Sequence, residues 1–502
     1  MSDKKEKLTL KNLGIDTNQE YVVFLRRDCP ACKSEGFIAL NRVQVSVGDH
    51  KIIASLNIVD NKVLPIGQVG LSESAWKAVH AKEGDTVVLS HLQPVLSMHD
   101  VRSKIYENRL NEDSFQRIIQ DIKDEKYSNI EIASFITACS GDHLNLEEIK
   151  ALTKAMISTG SVLKWDKHLV VDKHCVGGLP GNRTTPIVVS IVAAAGLTVP
   201  KTSSRAITSP AGTADTMEAV TNVNLDLSRM KSVVEKEGGC IVWGGSIGLS
   251  PVDDILIRVE RALEVDSVGQ MIASVLSKKA AAGSSHVVID IPIGKTAKVR
   301  TEEDAEKLKY YFTVVGKSVG LKVKVLISDG SQPIGRGIGP SLEIKDCIRI
   351  LKNEADSPSD LKQRALTVAG AMLEFSEPHR YKNGNGIQAS LEILESGKAW
   401  EKFERICKAQ GGFKEPSSSK FQLDVIAQSS GTVSEIDNRK IAKVARLAGA
   451  PNASSAGVYF LSPLGRRIEK GDVLYTIHSD SEGELEYAFD YLNTQNGIIT
   501  IL

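Results

Sequence analysis

Apolar and polar positions alternate in short runs through residues 1–97, as in YVVFL, GFIAL, RVQVSV, KIIASLNIV and DTVVLSHL, with VGD and EGD between runs. Period-two alternation broken by turn residues predicts a small β-rich N-terminal domain. The period changes over 98–165, where NEDSFQRIIQDIKDEKYSNIEIASFITACS and NLEEIKALTKAMISTG repeat apolar residues every three or four positions. This predicts a first helical segment. From 166 to 249 the patterns interleave: KHLVVDKH, TVPKTSS and GGCIVWGG read as strands, and TPIVVSIVAAAGL as a helix. A second helical segment, 250–283, runs from SPVDDIL to SKKAAAG, and HVVIDIPIG and KVKVLIS resume the strands over 284–424. Strands alternating with helices imply a mostly parallel α/β sheet. Residues 425–502 contain GTVSEID, AGVYFLSPLGRRIEKGDVLYTIHS and ELEYAFDYL, and predict a β-rich C-terminal part. The expected fold class is therefore multidomain α/β.

Composition narrows the partners rather than the fold. Lys plus Arg and Asp plus Glu are equal at 62 each in 502 residues, so no global field recruits nucleic acid or an anionic membrane. MSDKKEKLTL has no apolar signal core, and no apolar run approaches a membrane span, which predicts a cytoplasmic protein. Seven scattered cysteines fit a reducing compartment; Cys29 and Cys32 alone have ligand-like spacing, and half a zinc knuckle lacks its second pair.

Two stretches carry the candidate chemistry. In DKHCVGGLPGNRTTP, residues 172–186, Gly177, Gly178 and Gly181 interrupt a segment bearing Lys173, His174, Arg183, Thr184 and Thr185 just before an apolar helix. Exposed backbone N–H groups and the positive end of a helix favour an anion there. It is not a Walker A loop, which needs Gly-Lys-Ser/Thr at the helix entrance; a ligand-free strand-to-helix turn is the plain alternative. In SSRAITSPAGTADTMEAV, residues 203–220, hydroxyls surround Arg205 and Gly212 and form a second anion-type turn. Ligands of open parallel sheets collect outside the carboxyl ends of the strands, where both turns are expected. Asp266, Gln270, Ser274 and Lys278 recur every four residues, giving one polar helical stripe that is also compatible with a solvated face.

In this order the stretches resemble the thymidine and pyrimidine-nucleoside phosphorylase family. DKHCVGG resembles Asp-Lys-His-Ser-x-Gly-Gly, SSRAITSPAGTADTMEAV resembles Ser-x-Arg…Gly-Thr-x-Asp…Glu, and VVIDIPIG, SDGSQPIGRGIGPSLEI and SGKAWEKFERICKAQGG add to the likeness over roughly residues 98–502. With its extra N-terminal domain the chain looks most like the longer, AMP-phosphorylase-like subfamily. The resemblance implies a nucleoside-phosphorylase-like α/β domain, a split helical domain, a cleft that closes between them, and a homodimer or larger homo-oligomer.

It also implies phosphorolysis of a nucleoside or nucleotide, with inorganic phosphate as co-substrate and neither cofactor nor metal. Carried over by position, Lys173, Thr184, Thr185 and Ser203 are the phosphate-binding residues. Gly178, Ser204, Arg205, Ala206, Ile207, Thr208, Ser209 and Thr213 line the substrate pocket, and Ser274, Lys278 and Lys298 meet the base or a 5′-phosphate. Asp266 is the proton donor by this analogy. His174 is its rival, with an ordinary pKa near 6.5 that suits acid catalysis.

Three positions depart from the family pattern. Cys175 replaces a serine, Pro210 and Ala211 replace Thr-Gly, and Val259 stands where the pyrimidine enzymes have arginine, fifteen residues before Ser274. A magnesium-dependent phosphoribosyltransferase using Asp253 and Asp254, and a catalytically silent nucleotide-binding regulator, are the competing readings.

Overall fold

The computed structural model describes residues 7–17, 20–29, 36–39, 42–60, 62–206, 209–263, 265, 267–382, 384–495 and 497–502, with residue 261 described by its backbone. The chain divides into two compact units, Met1–Cys139 and Ser140–Leu502.

In the first unit six strands close into a barrel. These are β1 (Lys7–Asn12), β2 (Val22–Arg26), β3 (Arg42–Val47), β4 (His50–Val59), β5 (Gln68–Leu71) and β6 (Thr86–His91), in the order β1-β5-β2-β4-β3-β6. β1 runs parallel to β5 and β2 to β4, while the remaining neighbours are antiparallel. The alternation in RVQVSV places Val43, Val45 and Val47 inward beside Leu8, Leu10, Leu25 and Leu56. Closure leaves no strand edge to aggregate. Helices Met98–Ile105, Glu112–Lys123 and Asn129–Ala138 follow. Asn111 and Ser128 cap the second and third through their side chains, satisfying amide groups the first turn leaves unpaired.

The second unit is built on parallel strands. β7 (Val171–Cys175), β8 (Val199–Ser203), β9 (Gly239–Trp243), β10 (His286–Ile293) and β11 (Lys322–Asp329) pair as β11-β10-β7 and β8-β9. A parallel bridge between Val170 and Thr198 joins the two sets. β10 is an almost unbroken apolar run, buried at six of its eight positions, and touches helices Glu302–Ser318 and Ser359–Ser376, as expected of a strand in a covered parallel sheet. Helix Thr185–Ala194 is apolar all round and buried over nearly its whole length, with Pro186 fitted in its first turn. It packs against helices Ser359–Ser376 and Lys398–Gln410 in the largest core, which includes Phe403, Ile406, Leu366 and Ile187.

Helix Leu146–Ser158, whose capping box pairs Asn145 with Glu148, packs on helix Val268–Ala281. The last helix of the first helical segment thus meets the second segment within this unit. Their connections to the sheet also touch: a Cβ at Gly160 would stand 2.1 Å from the Leu249 carbonyl oxygen.

The C-terminal part is less purely β than its sequence suggests. Strands at Gly337–Ile338, Gly457–Phe460, Val473–Ser479 and Phe421–Ile426 form one sheet, and those at Arg467–Ile468, Gly431–Ile436 and Ile499–Ile501 another. ELEYAFDYL, however, lies within helix Glu482–Thr494, and a second helix spans Asn438–Leu447. Aromatic residues in that stretch mimic strand composition, but Ser481 caps the segment and fixes it as helix.

Candidate active site

All five parallel strands end on one side, and the turns that follow them converge. The first turn leaves β7 and enters helix Thr185–Ala194. Gly178 there has φ +97°, and a Cβ would stand 2.9 Å from the backbone nitrogen of Lys298, so glycine is required by both conformation and space. Gly181 has φ +72° with the Ile334 carbonyl oxygen 2.3 Å from an added Cβ, and the Ile334 amide donates to the Pro180 carbonyl at 3.1 Å. The first turn is therefore seated against the turns after β10 and β11.

The second turn leaves β8. Asp215 organises it, accepting from the backbone amides of Ala206 at 2.7 Å and Gly212 at 2.9 Å. Arg183 links the two turns, donating to Thr213 Oγ1 at 2.7 Å and to the Ala211 carbonyl at 2.8 Å. Its Nε donates to Glu343 Oε2, also at 2.7 Å.

Around the first turn the charge is concentrated and positive. Lys173 is 2% exposed, and its Nζ donates to Thr184 Oγ1 at 2.5 Å. Burial pulls its pKa down. On the opposite face of the sheet, Lys279 and Lys201 lie 2.8 and 3.7 Å from Asp172, which is wholly buried. Burial drives Lys201 well below the lysine range. His174 shares that face, and burial together with Lys279, Lys201, Lys278 and Lys173 holds it well below 6.5. Those causes favour the neutral imidazole at neutral pH.

Cys175 receives a hydrogen bond from Asn182 Nδ2 at 3.2 Å and points its thiol toward Asp290 Oδ2 at 3.5 Å. Burial and the Asp290 carboxylate push the thiol up to about 12, so it stays protonated. Asp290 is itself held by Ser328, whose Oγ donates at 2.6 Å.

The predicted residues divide accordingly. Lys173, Gly178, Thr184, Thr185, Ser203 and Thr213 lie on the two turns or at the strand ends that feed them. Ser204 and Ser209 are exposed, the latter donating to the Ala211 carbonyl at 3.0 Å. Ser274 and Lys278 are half-buried on helix Val268–Ala281 and Gln270 is buried, so the polar stripe is not a solvated face. Lys278 pairs with Asp253 at 2.6 Å and contributes to the field at His174. Lys298 is exposed beside Gly178. Asp266, Ile207, Thr208 and Cys32 lie outside the described residues.

Arg205 has protein partners of its own. It grips Glu218 through two bonds of 2.5 and 2.8 Å and stacks over Trp243 with 4.9 Å to the ring centre. It borders a cleft of about 650 Å³ lined also by Ala206 and Asp215 of the second turn and by Glu218, Lys414, Glu415 and Asn452. Its motif position reflects loop structure as much as ligand contact.

Sequence reasoning passed over Asp172, Lys279, Asp290 and Glu343. A lone acid inside VVIDIPIG was the available signal for Asp290, since an isolated charge in a two-sided buried strand needs a partner. Glu343, in helix Pro340–Leu351, had no local signal because its partners lie 160 and 127 residues away.

The parallel sheet, with glycine- and hydroxyl-rich turns at its carboxyl edge, falls in a glycosyl transferase family. Residues 167–400 match the glycosyl transferase family a/b domain and residues 101–160 its helical bundle domain. The solved anthranilate phosphoribosyltransferase of Thermus thermophilus shares this fold, with a TM-score of 0.52 and 19% identity over 62% of this chain and 98% of that one.

The family is narrower than that. Residues 432–498 match the pyrimidine nucleoside phosphorylase C-terminal domain. A Legionella pneumophila (strain Corby) protein called "Putative thymidine phosphorylase" is 53% identical over 494 residues, covering 98% of this chain and 95% of its own. Proteins of the same name from Hahella chejuensis and Polaromonas sp. are 51% and 50% identical, each over 97% of their length. The chain belongs to the thymidine and pyrimidine-nucleoside phosphorylase family and is a pentosyltransferase. Among the described residues no helix is long and apolar enough to cross a membrane.

Proposed function

We propose that the chain catalyses phosphorolysis of thymidine, giving thymine and 2-deoxyribose 1-phosphate. The carrying observation is the 53% identity to a relative of that name across 98% of the chain. The two linked anion turns agree with it. A phosphate oxygen attacks the anomeric carbon, the carbon–nitrogen bond breaks, and the base leaves with the electron pair and takes up a proton.

Phosphate is a weak nucleophile, so holding it against a cationic sugar centre supplies most of the acceleration. In this reading Lys173, Thr184, Thr185, Ser203 and Thr213 hold phosphate, the Gly178 backbone closes over it, and the 204–209 run meets the sugar. Ser274, Lys278 and Lys298 receive the base, and Asp266 protonates it. His174, being neutral, positions rather than protonates. Inorganic phosphate is the only helper required, and the working form is a homodimer or larger homo-oligomer.

One observation favours a second reading, in which AMP, CMP or UMP yields base and ribose 1,5-bisphosphate. Val259 is 7% exposed, so the position that carries a ring-contacting arginine in the pyrimidine enzymes is core here. Base release from thymidine, uridine, AMP, CMP and UMP, with and without phosphate and with Asp266→Asn, decides the matter. Phosphate-dependent turnover of thymidine supports the first reading and turnover of monophosphates alone the second. Ligand binding without release from any of the five points to a silent regulator.

A further inference from the structure

We propose that Arg183 is a positioning residue that orients the Thr213 hydroxyl, so that its proton is presented toward a bound anion. The inference rests on the phosphate-binding reading above and adds a residue to which that reading assigns no role.

The geometry is specific. Arg183 is 14% exposed and Glu343 1%, so the pair is withdrawn from water. The guanidinium commits three donors at once: Nε to Glu343 at 2.7 Å, Nη1 to Thr213 Oγ1 at 2.7 Å, and Nη2 to the Ala211 carbonyl at 2.8 Å. With its charge matched by Glu343, it is not a direct ligand for phosphate. A threonine hydroxyl has one proton and two lone pairs, and arginine accepts no hydrogen bond. Thr213 must therefore spend a lone pair on Arg183, and its proton points away from the cation.

The same arrangement recurs across the site. Lys173 Nζ also lacks an acceptor, and it donates to Thr184 Oγ1. On each turn a buried cation thus occupies one lone pair of a hydroxyl and directs its proton away from itself. Acceptor groups in place of the cations would take the hydroxyl protons themselves, and the cradle would lose donors for an anion. Only a planar fork reaches Glu343, Thr213 and Ala211 together, which explains arginine over lysine here. Glu343 anchors the fork while accepting from Thr216 Oγ1 at 3.1 Å.

The test is a mutant cycle on the full chain, with inorganic phosphate and thymidine, or whichever substrate the wild type turns over, as the probes. Arg183→Met is combined with Glu343→Gln so that no buried charge is orphaned. The KM for phosphate is expected to rise about tenfold or more, the worth of one hydrogen bond to a charged group, while the KM for the nucleoside stays within about twofold by the same reasoning. Thr213→Val alone should do the same, and combining all three changes should add little, because Arg183 acts through Thr213. An unchanged phosphate KM, multiplicative effects, or equal losses on both substrates would overturn the inference.

If the paired variant does not fold, Arg183→Lys keeps a cation beside Glu343 without the second arm, and a wild-type phosphate KM in it is equally fatal. Wild-type protein without turnover sinks the proposed function but not this inference, which calorimetric binding of inorganic phosphate to the same variants then decides. Wild type that neither reacts nor binds phosphate removes both.

Discussion

The neutral state of His174 makes a prediction that can be worked through. Burial and four surrounding lysines hold its pKa well below 6.5 in the folded chain, whereas the unfolded chain takes up that proton near 6.5. Between those values the unfolded state binds more protons, so stability is full above 6.5 and falls as the pH is lowered. From pH 7.5 to 5.5 the unfolded histidine takes up a proton that the folded chain resists, and folding loses up to roughly 1 kcal/mol through this one group. Substituting His174→Asn removes it.

Urea unfolding followed by tryptophan fluorescence, in phosphate-free buffer at both pH values, reads the effect. The fall in unfolding free energy should be smaller in the variant than in the wild type, by up to roughly 1 kcal/mol. Other histidines depressed by burial, His286 and His478, act equally in both proteins and cancel. Equal pH dependence in the two proteins would show that His174 titrates freely when folded, and would restore it as a candidate acid.

Four further outcomes are expected. Gly178→Ala, forced to φ +97° with its Cβ 2.9 Å from the Lys298 amide, should cut phosphate-dependent base release at least about tenfold, checked by initial rates at saturating nucleoside. The Cys175 thiol, pushed up to about 12, should resist iodoacetamide at pH 8 in the native protein, as peptide mass spectrometry would reveal. Cys175→Ser should lower the KM for phosphate by returning a strong hydroxyl donor, and an unchanged or higher value would argue that the Asp290 contact has replaced the family's serine contact. Phe403→Ala, which empties a fully buried site in the main core, should cost about 3–5 kcal/mol in denaturant unfolding without altering the ratio of the two KM values.

The strands and helices of the α/β unit were legible because each is coded locally. VVIDIPIG is apolar at almost every position, TPIVVSIVAA carries its own proline start, and both helical segments show a clear 3.6 period. The two anion turns were legible for the same reason, since glycines and hydroxyls cluster within a few residues. The C-terminal helix Glu482–Thr494 was not, because aromatic residues in a short amphipathic stretch serve either structure and the serine cap decides. Closure of the barrel was equally hidden, since alternation predicts strands but not that β1 runs beside β5 and β6.

The roles inside the site were harder to read than its location, and the motif SSRAITSPAGTAD shows why. Its charged residues look like ligands in sequence, yet Arg205 and Asp215 spend their charge inside the turn, on Glu218 and on the amides of Ala206 and Gly212. A loop that must present backbone and hydroxyl groups to an anion needs internal charges to hold its shape, so the same pattern arises whether a side chain touches ligand or shapes what does. Arg183 is the counterpart: in GNRTTP it reads as one more basic residue for phosphate, while its geometry ties it to Glu343, Thr213 and Ala211. A residue's charge in the sequence states that it needs a partner. Only the fold states whether that partner is protein or substrate, and here Lys173 and Arg183 each donate to a threonine, Thr184 and Thr213.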